Sequence, residues 1–235
     1  MKPTYGVAQV LLEGSRSPAF VGSCFSLWHP NFFVTAAHCL RNAEPKKLLI
    51  NNPYEGADPR RVEEVTKHSH ADLAVLRVAD GGSVTEPFQR VVLIDALGLD
   101  YYAFGYPEDV FGQDTRQPVP RSFTGYFQRF FAYQSRLGYT YQAGEMNIAC
   151  PGGLSGGPVF STYNVSSGVV YGVVTENLQS FTTLDTIEEI ELGGNRSRLT
   201  YREVINYGIC LMLGAYEDWL RGHIPGLSTL PQSSP

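Results

Sequence analysis

The chain has 235 residues, of which 43% are hydrophobic and 17% charged, and this composition excludes intrinsic disorder for most of its length. The formal net charge of −5 argues against binding nucleic acid through its phosphates, and no apolar stretch is long enough to span a bilayer. We therefore expect neither a nucleic-acid partner nor a membrane partner. The 24 glycines and 15 prolines indicate many turns between short elements of one large domain or two small ones.

Strand patterns dominate the first 180 residues. Short β-branched and aromatic runs bounded by turn residues predict strands at residues 7–12, 19–28, 32–34, 48–50, 61–66, 73–78, 101–106, 122–133, 139–148, 158–162 and 168–175. The charged run 61–66 is typical of an edge strand, and the last two runs predict a hairpin. Short strands at such regular spacing favour a sandwich or a barrel.

Other patterns mark the connections and the C-terminal part. Residues 108–121 contain two prolines and several polar residues, and they predict a long loop where the chain crosses between two halves. Residues 180–198 are polar and turn-rich, and they are interpreted as a second mobile, regulatory segment. Apolar residues at helical spacing predict a helix over about 199–221, with Thr200 as its N-cap and Glu203 completing a capping box.

The segment with the most chemical information is 151–159, which reads PGGLSGGPV. Such a run can be only a flexible turn. A nucleophilic serine needs a similar setting, because glycines let the backbone approach a substrate carbonyl and leave N–H groups free to bind an oxyanion. The segment therefore makes Ser155 a candidate nucleophile.

Two further segments contain candidate partners for this serine. His38 follows an apolar strand and three small or hydroxyl residues, which would let its ring lie close to a nucleophile. Asp72 enters the apolar run 73–78, where a buried carboxylate needs a hydrogen-bond donor such as His38. The neighbouring His68 and His70 are interpreted as surface residues at a strand end.

Together, residues 35–39 (TAAHC), 72–76 (DLAVL) and 153–158 (GLSGGP) resemble the three signature blocks of the chymotrypsin/trypsin-like serine peptidases. They occur in that family's order of histidine, aspartate and serine. The resemblance covers about three quarters of the chain. It implies an all-β fold of two six-stranded antiparallel β-barrels followed by a C-terminal α-helix.

The resemblance also implies the domain limits and the catalytic roles. The first barrel, residues 5–107, would carry His38 and Asp72, and the second, residues 108–180, would carry Ser155, with a loop, the helix and a tail in residues 181–235. Ser155 would attack the scissile carbonyl, His38 would accept its proton, and Asp72 would orient His38. The N–H groups of Gly153 and Ser155 would form the oxyanion hole. No cofactor or metal is implied.

Substrate-binding residues follow from the same resemblance, and they are Ala149, Cys150, Gly152, Val174, Thr175, Glu176 and Asn177. The pocket base at Ala149 and Cys150 carries no charge, so we expect a small-to-medium apolar side chain at the P1 position of a peptide or protein substrate. Glu176 either attracts a basic side chain or points to solvent. Thr175 lies where a hydroxyl residue often contacts the catalytic aspartate.

Leu154 departs from the trypsin-type zymogens, which have an aspartate before the nucleophile. Leucine cannot form the activating ion pair, so either its packing holds the oxyanion loop or a regulatory partner orders it. The chain is in this respect similar to bacterial and HtrA-like trypsin-like peptidases, and too few residues remain for a PDZ domain.

The four cysteines are too few for a disulfide scaffold and lack metal-ligand spacing. The resemblance implies a candidate disulfide between Cys24 and Cys39, whereas Cys150 and Cys210 have no evident partner. The N-terminus shows no signal-peptide pattern, so we favour reduced thiols and a cytoplasmic location, or secretion if a leader has been removed.

Two alternatives to an active endopeptidase remain open. A catalytically silent pseudo-protease would keep the barrels as a peptide- or protein-binding module. An esterase or other acyl-transfer enzyme would use the same three residues on a different acyl group.

Overall fold

The computed structural model describes residues 6–14, 17–53, 58–79, 86–108, 119–162, 168–190 and 196–225. In these ranges the chain forms thirteen β-strands, numbered β1–β13 in chain order, together with short 3-10 turns and one α-helix, α1. The strands divide between a closed barrel and a second sheet, which confirms the predicted all-β double-barrel architecture.

The first barrel contains six antiparallel strands in the order β1-β2-β3-β6-β5-β4. Their bounds are β1 Val7–Leu12, β2 Ala19–Ser26, β3 Phe32–Thr35, β4 Leu48–Asn51, β5 Arg60–Lys67 and β6 Ala74–Val78. Alternate apolar side chains fill the interior, among them Val10, Phe33, Ile50 and Leu76, none more than 1% exposed.

The prediction of β5 as an edge strand is wrong. It pairs with both β4 and β6, and a closed barrel has no edge. The charges that suggested an edge lie on the outer face of the barrel, where Glu63 and Glu64 form ion pairs with Arg77 of β6.

The second sheet contains seven strands in the order β11-β8-β9-β10-β13-β12-β7. Their bounds are β7 Arg90–Val91, β8 Asp100–Gly105, β9 Arg121–Gln134, β10 Thr140–Met146, β11 Pro158–Ser161, β12 Val169–Ile190 and β13 Arg196–Met212. Because β11 pairs with both β8 and β12, six of the strands complete a circuit of pairings. The β11–β12 pairing also confirms the predicted hairpin.

The boundary between the two halves lies earlier than predicted. The first barrel ends at Val78, and β7 already pairs with β12 of the second sheet. The predicted first domain, 5–107, therefore includes two strands of the second sheet. That sheet also continues past residue 180 to Met212. The predicted crossing loop, 108–121, lies mostly outside the described residues.

The predicted helix over 199–221 is wrong for most of its length. Residues 199–212 belong to β13, a 3-10 turn follows at Leu213–Tyr216, and α1 spans only Glu217–His223. In β13, Ile209 faces one apolar cluster and Cys210 another. A strand buried on both faces gives a continuous apolar run, whose periodicity does not distinguish it from a helix.

The predicted mobile segment 180–198 is also largely strand. Residues 176–190 of β12 pair with 196–209 of β13 in one long antiparallel hairpin. The acidic run that begins at Asp185 lies on this hairpin up to Ile190, and residue 191 lies outside the described ranges.

Candidate active site

The two barrels meet at a shared apolar cluster. It contains Phe25 and Val34 from the first barrel and Tyr141 and Ile209 from the second. His38 lies on the 3-10 turn Ala37–Leu40 after β3, Asp72 on the loop between β5 and β6, and Ser155 on the loop between β10 and β11. The small side chains Ala36 and Ala71, close to His38 and Asp72 in the chain, belong to the shared cluster.

His38 and Asp72 form a close pair. Asp72 Oδ2 lies 2.7 Å from His38 Nδ1, and Asp72 Oδ1 accepts the backbone N–H of His38 at 2.8 Å. The Asp72 residue is only 2% exposed, so these two donors compensate for burial of a carboxylate. The contact assigns the Nδ1–H proton to His38 and leaves Nε2 as the basic nitrogen.

The pKa of His38 reflects opposing effects. Burial of the ring by itself lowers this pKa, but the hydrogen bonds with Asp72 and with Cys39 outweigh burial and raise it above its usual value. The neutral ring is the form that can accept a proton, so the site becomes competent as a base when the pH rises through this raised pKa.

Ser155 lies beside this pair with its hydroxyl turned away from it. Ser155 Oγ donates to the carbonyl oxygen of Thr175 at 2.8 Å. Cys39 Sγ, in contrast, lies 3.7 Å from both His38 Nε2 and the carbonyl oxygen of Ser155. The structure thus brings the three predicted catalytic residues to one site, with a thiol next to the basic nitrogen.

The backbone around Ser155 orients the two predicted oxyanion donors. Gly152 O accepts from Glu108 N–H at 2.8 Å, and Leu154 O accepts from Gly157 N–H at 2.9 Å. In a trans peptide unit the C=O and the N–H point in opposite directions, so the N–H groups of Gly153 and Ser155 point away from these contacts. Within the described part of the chain, neither of these two N–H groups has a protein acceptor.

Leu154 is fully buried in the core of the second sheet, where its neighbours include Tyr101, Val159 and Val174. Gly153 supplies the left-handed backbone conformation, with a φ of 82°, that lets the chain turn between Gly152 and this buried side chain. Packing of Leu154 therefore anchors the loop at the position where trypsin-type zymogens have an aspartate.

Ser23 of β2 also holds this loop, and sequence reasoning missed it. Its N–H donates to Ser155 O at 2.9 Å, its hydroxyl donates to Gly153 O at 2.9 Å, and the hydroxyl accepts from Tyr106 N–H. The only sequence signal is a hydroxyl residue within an apolar strand, next to Cys24. Ser23 fixes the loop of the second sheet to the first barrel.

The predicted substrate-binding residues differ in their exposure and in their hydrogen bonds. Ala149 and Gly152 are exposed, whereas Val174 belongs to the buried core of the second sheet. The Asn177 amide contacts both the N–H and the C=O of Cys150, at 2.7 and 2.6 Å, and joins the pocket base to β12.

Thr175 does not make the contact with Asp72 that the resemblance implied. Its hydroxyl donates to Ile209 O at 3.0 Å and accepts from the Tyr141 hydroxyl at 2.9 Å. Tyr141 also approaches Glu176 Oε1 at 3.4 Å. Burial first, and then the charge of Asp72, raise the pKa of the Glu176 carboxyl. Glu176 is therefore half-buried at the site and does not simply point to solvent.

The candidate disulfide between Cys24 and Cys39 is not formed, and all four cysteines are free thiols. Cys24 faces the interior of the first barrel and contacts Ala8 O, whereas Cys39 packs outside that interior beside Ser155. The two side chains therefore pack against different apolar clusters.

Comparison with known proteins decides the family. Residues 22–173, more than half of the chain, match the model of the trypsin-like peptidase domain. The chain belongs to the trypsin-like peptidase family. No curated protein sequence matches it.

Solved structures share the fold of this trypsin-like peptidase at low identity. The active form of the Rv3671c protease from M. tuberculosis is 17% identical with a TM-score of 0.60, over 93% of this chain and 80% of that one. The HtrA-type protease AlgW with a tripeptide is 14% identical with a TM-score of 0.64, over 94% and 60%. A scabies mite inactivated protease paralogue is 13% identical with a TM-score of 0.62, over 94% of both chains.

The described residues of this trypsin-like peptidase contain neither a membrane-spanning helix nor a metal-binding cluster. No helix in them is long and apolar enough to cross a bilayer. No cluster of three or more acidic, histidine or cysteine side chains in them is arranged to hold a metal ion.

Proposed function

We propose that the protein is a serine endopeptidase in which Ser155, His38 and Asp72 hydrolyse a peptide bond. The observation that carries the proposal is the His38–Asp72 pair, in which a buried carboxylate holds Nδ1 at 2.7 Å. Such a pair leaves Nε2 as a base of fixed orientation and stabilises the imidazolium that forms when it accepts a proton. Ser155 on the adjacent loop supplies the hydroxyl.

The reaction begins when the Ser155 hydroxyl rotates from Thr175 O toward His38 Nε2. Its oxygen attacks the substrate carbonyl carbon while Nε2 takes the proton, and the oxyanion is bound by the N–H groups of Gly153 and Ser155. His38 then gives this proton to the leaving amine, which leaves an acyl group on Ser155. A water molecule, deprotonated by Nε2, hydrolyses the ester and restores the hydroxyl.

Apolar residues at P1 suit the environment of the proposed pocket. Cys150 is buried and neutral, because burial raises the pKa of its thiol to about 12. Glu176, the nearby acid, is half-buried, and its Oε1 lies 3.4 Å from the Tyr141 hydroxyl. Profiling of a proteome-derived peptide library should therefore enrich small-to-medium apolar residues at P1. Enrichment of lysine or arginine would show that Glu176 sets the specificity instead.

A binding module is the second candidate, and one observation favours it. Ser155 Oγ is hydrogen-bonded to Thr175 O, so the hydroxyl is not positioned for deprotonation in this conformation. The double barrel would then capture a peptide or protein without cleaving it.

A fluorophosphonate probe separates the two candidates, because it labels a serine only when a neighbouring base activates that serine. The endopeptidase proposal predicts labelling of the wild type and none of Ser155→Ala or His38→Ala. Ser122→Ala, at an exposed position of β9, is the matched control and should label like the wild type. Absence of labelling in the folded wild type would favour the binding module.

The packing of Leu154 supports an oxyanion loop that needs no partner to order it. The purified protein should then turn over a peptide substrate on its own. Activity that appears only after a partner protein is added would favour the alternative of a switchable loop.

A further inference from the structure

The loop that carries Asp72 is closed by the side chain of His68. His68 Nδ1 accepts the backbone N–H of Ala71 at 2.9 Å and that of His70 at 3.2 Å. The backbone N–H of His68 in turn donates to Leu73 O at 2.9 Å. These bonds join the first residue of the loop to the residues on both sides of Asp72.

The Asp72 carboxylate depends on this loop for its position. Within the described residues, both hydrogen bonds to the carboxylate come from His38, on another element. The remaining tie of the loop to the second sheet is the bond from Thr140 N–H to His70 O at 2.9 Å. The loop conformation therefore helps to set where the carboxylate meets the His38 ring.

The two bonds at Nδ1 require a neutral His68 ring with its proton on Nε2. An imidazolium has donors at both nitrogens, and its Nδ1–H would face two other N–H groups. Burial, and then the nearby His70 and His223, lower the pKa of His68 and favour the same neutral form. Among the described residues, the titratable groups near the ring are His70, Tyr216 and His223.

The C-terminal part of the chain holds the His68 ring. Tyr216 and Trp219 both meet it edge to face, at centroid distances of 5.1 and 5.2 Å. Tyr216 ends the 3-10 turn after β13, and Trp219 lies in α1. The last helix thus packs against the loop that positions Asp72.

We propose that neutral His68 is a positioning residue, which uses its Nδ1 atom as a backbone acceptor to hold the Asp72 loop in the conformation that joins the carboxylate to His38. The role rests on the proposed hydrolytic function of Asp72 and His38, and it acts through them without contact with substrate. The Nδ1 atom of His68 contributes to the proposed catalysis because it holds the loop. The packing of the ring against Tyr216 and Trp219 keeps this atom in place.

Two variants separate these contributions. His68→Asn keeps an oxygen that can accept N–H groups two and three residues ahead, as asparagine does in turns, but loses the ring. His68→Phe keeps an aromatic ring against Tyr216 and Trp219 but loses the acceptor. A loss of alignment by about 1 Å can cost about 100-fold in rate, so we expect kcat to fall about 10- to 100-fold in His68→Phe, with little change in KM. His68→Asn should retain most of the wild-type kcat.

His29→Ala is the matched control. His29 Nδ1 accepts the N–H of Asn31 at 3.1 Å in the turn between β2 and β3, so this variant removes the same kind of bond away from the Asp72 loop. Its kcat should equal that of the wild type. Thermal unfolding of every variant shows which of them remain folded.

Proton NMR tests the positioning without using activity. The His38 Nδ1–H proton that is bound to Asp72 should give a far-downfield resonance in the wild type, in His68→Asn and in His29→Ala. In His68→Phe this resonance should shift or disappear. Nitrogen NMR of the wild type should show His68 protonated at Nε2 only. An unchanged resonance in His68→Phe, or a proton on Nδ1 of His68, would overturn the proposal. If the wild type shows the resonance but does not react with the phosphonate, the hydrolytic function fails while the role of His68 is still decided.

Discussion

The Ser155 hydroxyl donates to the carbonyl oxygen of Thr175 over 2.8 Å. A serine hydroxyl has one proton, so Ser155 cannot donate to His38 in the same conformation. The two arrangements differ by rotation about the Cα–Cβ bond between staggered rotamers. We therefore interpret this conformation as a resting state of the proposed site, in which His38 is oriented and the Ser155 hydroxyl still has to turn.

Gly156 tests how tightly the Ser155 loop is packed. Its φ is 86°, and a Cβ at this position would clash with Ser23 O. Gly156→Ala should therefore push the loop away from β2 and abolish phosphonate labelling. Gly138, with a φ of 88° and open space around it, is the matched control. Gly138→Ala should cost only about 1–2 kcal/mol of unfolding free energy and leave labelling intact. Equal effects of the two variants would show that the clash with Ser23 is unimportant.

Leu154 tests whether packing anchors the oxyanion loop. Truncation of a fully buried leucine costs about 2–5 kcal/mol, so chemical denaturation should show a loss of that size for Leu154→Ala. The rate of labelling should fall as well, because Leu154 lies between the two predicted oxyanion donors. Leu137→Ala, at a residue 43% exposed in the turn between β9 and β10, should change stability by less than about 0.5 kcal/mol. A fully stable Leu154→Ala would contradict the anchor.

The pH dependence of activity tests the His38–Asp72 pair. Because Asp72 raises the pKa of His38, kcat/KM should rise with pH through a value above the usual 6.5 of histidine. Asp72→Asn should shift the rise of kcat/KM to lower pH. It should also reduce kcat by about 10⁴-fold, because the carboxylate that orients His38 is lost. Asp100→Asn, at an exposed position in β8, should change neither quantity. A profile that is identical in wild type and Asp72→Asn would exclude the pair as the source of the shift.

The same pKa shift affects stability in the opposite sense. A histidine whose folded pKa is raised stabilises the folded state fully below its unfolded pKa, and this contribution disappears as the pH rises through the folded value. The His38–Asp72 pair therefore stabilises the folded state most at a pH where His38 is protonated and cannot act as the proposed base.

The free cysteines predict a graded reactivity. Cys39 is the one thiol of the four that is partly exposed, and burial raises the pKa of Cys24, Cys150 and Cys210. Iodoacetamide should alkylate Cys39 in the native protein and the other three only after unfolding. Reducing agent should leave the Tm unchanged. An intact mass that is lower by two hydrogens, or a Tm that falls on reduction, would indicate a disulfide.

The sequence predicted the strands better than it predicted the contacts around the candidate catalytic residues. Short β-branched and aromatic runs predicted the strands of the first barrel because strand propensity and the turn residues that bound each run are local in the chain. The three motifs located His38, Asp72 and Ser155 because each motif is local in the chain. Ser23 and His68 were not recognised, since their roles depend on contacts that become visible only when strands and loops have assembled.

The strands of the C-terminal half were harder to predict, again because they depend on contacts between segments that are distant in the chain. In β13, Ile209 and Cys210 face two different buried clusters, so the apolar pattern lost its period of two. The pairing of residues 176–190 with 196–209 then turned a polar, loop-like sequence into a long hairpin. Pairing with a distant segment overrides local propensity in strands more readily than in helices.

Identification of the phosphonate adduct by mass spectrometry tests the central claim most directly, because Cys39 is a second nucleophile next to His38 Nε2. We predict that the adduct of the wild type lies on Ser155. Asp72→Asn should form this adduct more slowly, and Cys39→Ala should still form it. An adduct on Cys39, or a folded wild type that forms no adduct on Ser155, would contradict the assignment of Ser155 as the nucleophile.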